Sequence, residues 1–146
     1  MSGRITRAEE QLKPDPRYQS KVLARFINCL MKDGKKAVAQ RVVYDAFEEI
    51  EKRTKGEPGA LEVFERALEN VRPSVEVRSK RVGGANYQVP MSVNRRRQQS
   101  LAFRWILDAA RGERGRPMSQ RLARELMDAA KNEGKAVTTR ENTHRM

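Results

Sequence analysis

One stretch without helical spacing interrupts a chain otherwise patterned for helices, and it constrains the fold more than any other feature. Residues 74–91 are rich in β-formers around a central Gly83-Gly84 pair and follow directly on Arg72-Pro73, the composition of a single β-hairpin. Two strands alone make at most a marginal ribbon. The helices must therefore supply the core, and the ribbon must lean its base on them while its tip projects. Register is argued from the faces. A three-residue loop, Val82-Gly83-Gly84, pairs Val77 with Val89, Val75 with Met91 and Ser79 with Tyr87, gathering the apolar positions. A two-residue loop sets Val77 opposite Pro90 and Lys80 opposite Tyr87. The first is expected, leaving Arg78, Lys80, Asn86 and Gln88 on the other face and Arg81 near the tip.

Helical spacing fills the remainder from Ser20 onward. Ser20 is a plausible N-cap for a helix carrying Val22, Leu23, Phe26, Ile27, Leu30 and Met31, with Cys29 as a small residue near its packed face, and Gly34 ends it. A second helix spans about Lys36 to Lys55, with Val38, Val42, Val43, Ala46, Phe47 and Ile50 inward and Gly56 as its stop. Pro58 suits the first turn of a third helix carrying Leu61, Val63, Phe64, Ala67, Leu68 and Val71. Ser92 can cap a fourth helix reaching Arg111, whose inward stripe is Ala102, Trp105, Ile106 and Ala109. A fifth runs roughly from Pro117 to Asn132, packs Leu122, Leu126, Met127 and Ala130, and ends at Gly134. A sixth begins near Thr138 or Thr139. Residues 1–19 have no period, and Pro14-Asp15-Pro16 gives them an extended or turning path. The expected fold is mainly α: a single domain over 1–146, a bundle of about six helices with one protruding two-stranded antiparallel β-hairpin, preceded by an extended basic arm over 1–19.

Charge is distributed unevenly. The chain carries 31 Lys and Arg against 19 Asp and Glu, a formal charge of +12, and a compact body so charged attracts polyanions. Residues 71–104 hold 8 basic groups and 1 acidic one, whereas residues 36–70 hold 6 and 8. The fold is thus expected to have a polyanion face and an opposite face carrying Asp45, Glu48, Glu49, Glu62, Glu65 and Glu69. On the fourth helix Arg97, Arg104 and Arg111 recur every seven residues and stay on one side over about 21 Å, with only Asp108 interleaved. Arg95 and Arg96 add charge where that helix leaves the ribbon. Arg114 and Arg116 sit in a Gly/Pro-containing loop. Lys35 and Lys36 suit either phosphate contact or the C-terminal dipole of the first helix. Trp105 reads as core.

Other chemistries are poorly supplied. One cysteine and one histidine, Cys29 and His144, cannot form a disulfide framework or a soft-ligand zinc site, and no metal or cofactor is expected. His144 has nothing evident to orient it, so neither a Ser/His/Asp nor a Cys/His arrangement is expected, and the chain does not read as an enzyme. No apolar run approaches a membrane span and no secretory h-region opens the chain; the expected location is cytoplasmic, with no membrane partner. Eight aromatics are few for a module that binds single strands chiefly by stacking. A basic helix beside a ribbon suits a DNA major groove with the ribbon as a wing. Charge dispersed over the arm, the ribbon, the fourth helix and the chain end suits a folded RNA junction better. An RNA-processing enzyme is a distant third.

Particular residues then speak. Pro14-Asp15-Pro16, Asp33-Gly34-Lys35-Lys36, Ala67-Leu68-Glu69-Asn70-Val71-Arg72-Pro73, Val75-Glu76-Val77, Arg81-Val82-Gly83-Gly84, Tyr87-Gln88-Val89-Pro90, Arg104-Trp105 and His144-Arg145-Met146 occur in this order. Over about Leu12 to Met146 the chain resembles the bacterial S-seven family of small-subunit ribosomal proteins. The resemblance implies a structural component of the small subunit that binds its RNA directly and nucleates assembly of the head, the 3′ major domain. It also implies a seat near the decoding region and the exit site for transfer RNA, with the hairpin reaching toward transfer RNA and messenger. Ribosomal proteins S-nine and S-eleven are its expected neighbours, and a ribosome-bound monomer its expected state. Under this reading the rRNA-binding candidates are Arg4, Arg7, Lys13, Lys35, Lys36, Arg72, Arg95, Arg96, Arg97, Arg104, Arg111, Arg114, Arg116, Arg140 and Arg145. The hairpin residues expected to face transfer RNA or messenger are Arg78, Lys80, Arg81, Val82, Gly83, Gly84 and Asn86. Two departures stand out. Family members begin with a denser basic cluster than Met1-Ser2-Gly3-Arg4 followed by Glu9-Glu10, and they continue several residues past His144-Arg145-Met146, so the last helix is expected to be truncated here.

Overall fold

The computed structural model describes residues 12–145. In order these form α1 (Lys21–Leu30), α2 (Lys36–Thr54), α3 (Ala60–Val71), β1 (Val75–Val82), β2 (Ala85–Ser92), α4 (Arg95–Gly112), α5 (Met118–Ala130) and α6 (Lys135–Arg145). The chain divides into two compact units, Met1–Val43 and Tyr44–Met146, with the boundary inside α2.

In the first unit the Pro14-Asp15-Pro16 path closes into a turn. Asp15 is buried, and its carboxylate accepts the backbone N–H groups of Arg17 at 3.0 Å and Tyr18 at 2.9 Å, as a short acid does in an Asx turn. Ser20 caps α1, its hydroxyl accepting from Leu23 N–H at 3.1 Å, a device that stabilises a helix by about 1 kcal/mol. Leu23, Phe26, Ile27 and Leu30 are buried as their spacing requires, while Cys29 is exposed on the far side of the helix. In the opening turns of α2, Ala39 and Val43 are buried and Val38 is 54% exposed. The inward stripe therefore starts one residue later than the apolar pattern suggests.

The second unit holds the larger core. Phe47 of α2 meets Phe64 of α3 with ring centroids 5.7 Å apart, within the range of favourable tilted pairs. Ile50, Val63, Ala67, Leu68 and Val71 are buried with them. Helix α3 starts at Ala60, after Gly59 rather than at Pro58. The carboxylate of Glu51, on α2, accepts the Ala60 N–H at 3.1 Å. Helix α4 buries Leu101, Phe103, Leu107 and Ala110 in addition to Ala102, Ile106 and Ala109, so its wet strip is narrower than one apolar stripe implies. Its N-cap is Asn94, which accepts from Arg97 N–H at 2.9 Å; Ser92 instead ends β2. On α5 the buried residues are Leu122, Ala123, Glu125, Leu126 and Ala129, whereas Met127 and Ala130 are only partly covered. Helix α6 begins at Lys135, earlier than Thr138, because Glu125 supplies an acceptor to Ala136 N–H at 3.2 Å.

The ribbon corrects the expected register. Val82 pairs with Ala85, Lys80 with Tyr87 and Val77 with Pro90, so the loop is the two-residue Gly83-Gly84. Both glycines have positive φ, 61° and 84°, the requirement of a type I′ turn, whose twist matches that of the strands. Apolar alignment fixes register only where a face is buried. From Arg78 to Gln88 both faces are exposed, so the turn decides. Arg78, Lys80, Val82, Ala85, Tyr87, Val89 and Met91 consequently share one face with Glu76, while Arg81, Asn86 and Gln88 lie on the other.

Candidate nucleic-acid interface

The ribbon is the most exposed cationic element among the described residues. Its distal part carries Arg78, Lys80 and Arg81, all exposed. On the face shared by Arg78 and Lys80 lie three of the chain's exposed large apolar residues: Val82 at 57%, Tyr87 at 56% and Met91 at 47% exposure. Tyr87 stands directly across from Lys80 in the register. Sequence reasoning missed this face, since the three-residue loop turned Tyr87 toward Ser79; the two-residue alternative contained the signal. Gly83 and Gly84 form the tip, with Val82 and Asn86 beside it on opposite faces.

At its root the ribbon is fastened to the helices. The Arg97 guanidinium, in the first turn of α4, donates to both oxygens of Glu76: Nη2 at 2.7 Å and Nε at 3.2 Å to Oε1, and Nε at 3.4 Å to Oε2. Arg78 Nη2 lies 3.5 Å from Oε2 of the same carboxylate. The Arg97 bond holds the Glu76 carboxyl below the usual carboxylate range and raises the arginine in return. His144, which had no evident orienting partner in the sequence, accepts the Ser74 N–H at Nε2, 3.1 Å. Val93 N–H donates to Ser74 O at 3.2 Å. Glu76, Val77, Leu101, Trp105 and Thr143 line an open notch of about 200 Å³ beneath the ribbon, so Trp105 is half-buried at the rim of a cavity rather than enclosed.

Along α4, Arg95, Arg96, Arg104 and Arg111 are exposed, as is Asp108. Arg97 differs from the other members of the row in being held by Glu76. Arg114 and Arg116 are exposed in the loop to α5. That loop is braced by Arg121, which donates from Nη1 to Glu113 O at 2.5 Å and Arg111 O at 3.4 Å.

Arg72, after α3, and Arg145, at the end of α6, are exposed. Arg140 is not an open cation: its Nη1 donates to Asn70 O and its Nη2 lies 3.7 Å from Glu141. Asn70 in turn donates to Ala129 O and Ala130 O. Arg140 thus ties the end of α3 to α6, and Asn70 ties it to α5. The acids Glu62, Glu65 and Glu69 on α3 and Asp45 and Glu48 on α2 are exposed, and Glu62 and Glu49 pair along their helices with Arg66 and Arg53, as solvated faces do.

In the first unit, Lys13 and Lys36 border a cavity of about 300 Å³ with Pro14, Asp15, Pro16 and Gln40. Lys36 is the first residue of α2, and Lys35 precedes it. Both therefore stand at the positive end of the α2 dipole, where cations gain nothing from the helix, and not in the last turn of α1, which ends at Leu30. Arg4 and Arg7 lie outside the described residues. Among the described residues no group of His, Cys, Asp and Glu could hold a metal ion, and no helix is long and apolar enough to cross a membrane.

Comparison with known proteins adds to this geometry. A family model described as ribosomal protein S7p/S5e matches residues 2–146. A protein of Rhodopirellula baltica named small ribosomal subunit protein uS7 is 64% identical over 144 residues, covering 99% of this chain and 92% of that one. Proteins of the same name from Thioalkalivibrio sulfidiphilus and Methylocella silvestris are 56% and 53% identical over 146 residues, covering all of this chain and 92% of theirs.

Proposed function

The chain belongs to the ribosomal protein S7p/S5e family, and from that membership we propose that it is a structural, non-catalytic protein of the small ribosomal subunit that binds the subunit's RNA directly. The observation that best supports RNA binding in this chain is the sorting of charge in the second unit. Exposed cations gather on the ribbon, α4 and the α4–α5 loop with Asp108 as the one exposed acid among them, whereas on α2 and α3 the exposed acids Asp45, Glu48, Glu62, Glu65 and Glu69 are interleaved with Lys52, Arg53 and Arg66. Phosphate contact falls to Arg72, Arg95, Arg96, Arg104, Arg111, Arg114, Arg116 and Arg145, and in the first unit to Lys13, Lys35 and Lys36. Positive charge on α4 works against its own dipole at the first turn, where no acid is present; a polyanion offsets that cost.

In finer terms, the protein nucleates the head by binding the 3′ major domain and sits near the decoding region and the transfer-RNA exit site. It lies there beside ribosomal proteins S-nine and S-eleven, as a monomer in the cytoplasmic ribosome. The ribbon serves a second RNA, transfer RNA or messenger, through Arg78, Lys80 and Arg81 and through the exposed ring of Tyr87; stacking a base on an aromatic contributes roughly 1–3 kcal/mol. Protection mapping of small-subunit rRNA with the pure protein tests the main reading: protection confined to the 3′ major domain is expected, and equal affinity for unrelated duplex DNA would refute it. For the ribbon, replacing Lys80 through Ala85 with a short turn should leave rRNA affinity within about 10-fold, or about 1.4 kcal/mol, while subunits carrying it retain exit-site transfer RNA poorly. Loss of rRNA binding in that variant would place the tip in the primary site.

A further inference from the structure

Glu76 is the only carboxylate between residues 71 and 104, and its position gives it a purpose. It stands at the root of β1 with 15% of its side chain exposed, against the first turn of α4. That turn holds Arg95, Arg96 and Arg97 at the positive end of the helix dipole with no acid of its own. Of the three, only Arg97 is gripped by Glu76, through two guanidinium nitrogens on both carboxylate oxygens. Fork geometry of this kind fixes direction as well as distance. Among the described residues the root is also joined to α6 by the Ser74 bond to His144 and by the contact of β1 with that helix.

We propose that Arg97 is a positioning residue rather than a phosphate contact: the Glu76–Arg97 pair sets the direction of the ribbon relative to α4 and withdraws one cation from the RNA-facing row. The proposal rests on the RNA-binding reading above and divides the row by role. Arg104 and Arg111, at exposed positions further along α4, act on phosphate, while Arg97 acts through Glu76 on the ribbon. A spacing of seven residues made the three arginines equivalent, but the carboxylate brought by β1 makes them different. Arg78, also near Glu76, keeps 62% of its side chain exposed and remains open to RNA.

The salt dependence of binding to a transcript of the 3′ major domain separates these roles, because each phosphate contact contributes about 0.7–0.9 to the slope of log affinity against log salt. Arg104→Gln should lower the slope by about that amount, and Arg97→Gln should leave it unchanged. Glu76→Gln should raise it by a similar amount, because it frees Arg97 for phosphate. Amide exchange at Ser74, Val75 and Val93 should quicken in both Glu76→Gln and Arg97→Gln but not in Arg104→Gln, and the double exchange Glu76→Arg with Arg97→Glu should restore protection. Equal slope losses in Arg97→Gln and Arg104→Gln would overturn the proposal, as would unchanged exchange at the ribbon root. Should the wild-type protein show no salt-dependent preference for this RNA, the RNA-binding reading itself falls and with it the phosphate half of the proposal. The exchange rates would still decide the half that concerns the ribbon.

Discussion

Raising salt from 50 to 200 mM should weaken binding of this protein to small-subunit rRNA by about 10³–10⁵-fold, the loss expected when six to ten phosphates are neutralised. The basis is spatial. The net charge of +12 would mean little if the cations were spent in internal ion pairs, as Arg97, Arg140 and the i,i+4 pairs at Arg53, Arg66 and Arg124 are. Enough remain at exposed positions on separate elements to meet that number of phosphates: Arg72 after α3, Lys80 and Arg81 on the ribbon, Arg104 on α4, and Arg114 and Arg116 in the next loop. Each neutralised phosphate releases condensed counterion, and the gain from release shrinks as bulk salt rises. Filter binding or fluorescence anisotropy across that range gives the slope directly. A flat response would mean that shape and hydrogen bonding, rather than charge, hold the RNA, and the electrostatic account would be wrong.

What the sequence made legible follows from which interactions are local. Helix spacing, the Ser20 cap and the break at Arg72-Pro73 are short-range signals, and α1 to α5 and the hairpin appear where those signals lie. The ribbon's register was misread because alignment of Val75 and Val77 with Met91 and Val89 presumed a buried face; the distal strands have none, and the Gly83-Gly84 turn decides instead. The start of α6 was misplaced for a different reason. Its N-terminal acceptor is Glu125, on another helix, just as Glu51 serves α3, while Glu76 reaches the first turn of α4 only through the Arg97 side chain. Carboxylates from elsewhere in the fold thus reach the starts of α3 and α6 and supply acceptors there. The same holds for the candidate site. The exposure of Arg104 and Arg111 follows from spacing, whereas the pairing of Arg97 with Glu76, the hold of Arg140 on Asn70 and the exposure of Tyr87 depend on contacts between elements that no local pattern encodes.

Glu125 gives the sharpest stability test of this cross-element capping. It is 3% exposed, and burial pushes its carboxyl above the usual range, with Asp128 and Glu113 adding to the rise while the N–H groups of Ala136 and Lys135 oppose it. Gly134 is fitted to it: an added Cβ would lie 2.8 Å from Glu125 Oε2, at a φ of +95° that side chains rarely adopt. Removing the acceptor with Glu125→Ala leaves the buried Ala136 N–H unsatisfied, and should cost about 1–3 kcal/mol with fraying concentrated in α6. Glu125→Gln keeps a carbonyl acceptor without the charge, and should be as stable as the wild type or more so at neutral pH. The sign with pH follows from linkage: a carboxyl raised in the folded state binds its proton more readily there than in the unfolded chain. Its contribution is therefore fully present below the ordinary glutamate pKa and is lost as pH rises through the raised folded value. The stability of the wild type relative to Glu125→Gln should fall across that window and level off above it. Thermal melts of the three proteins at several pH values read this directly. If Glu125→Gln is destabilised as much as Glu125→Ala at neutral pH, the charge itself holds α6 in place and the account of a tolerated, buried carboxylate cap is wrong.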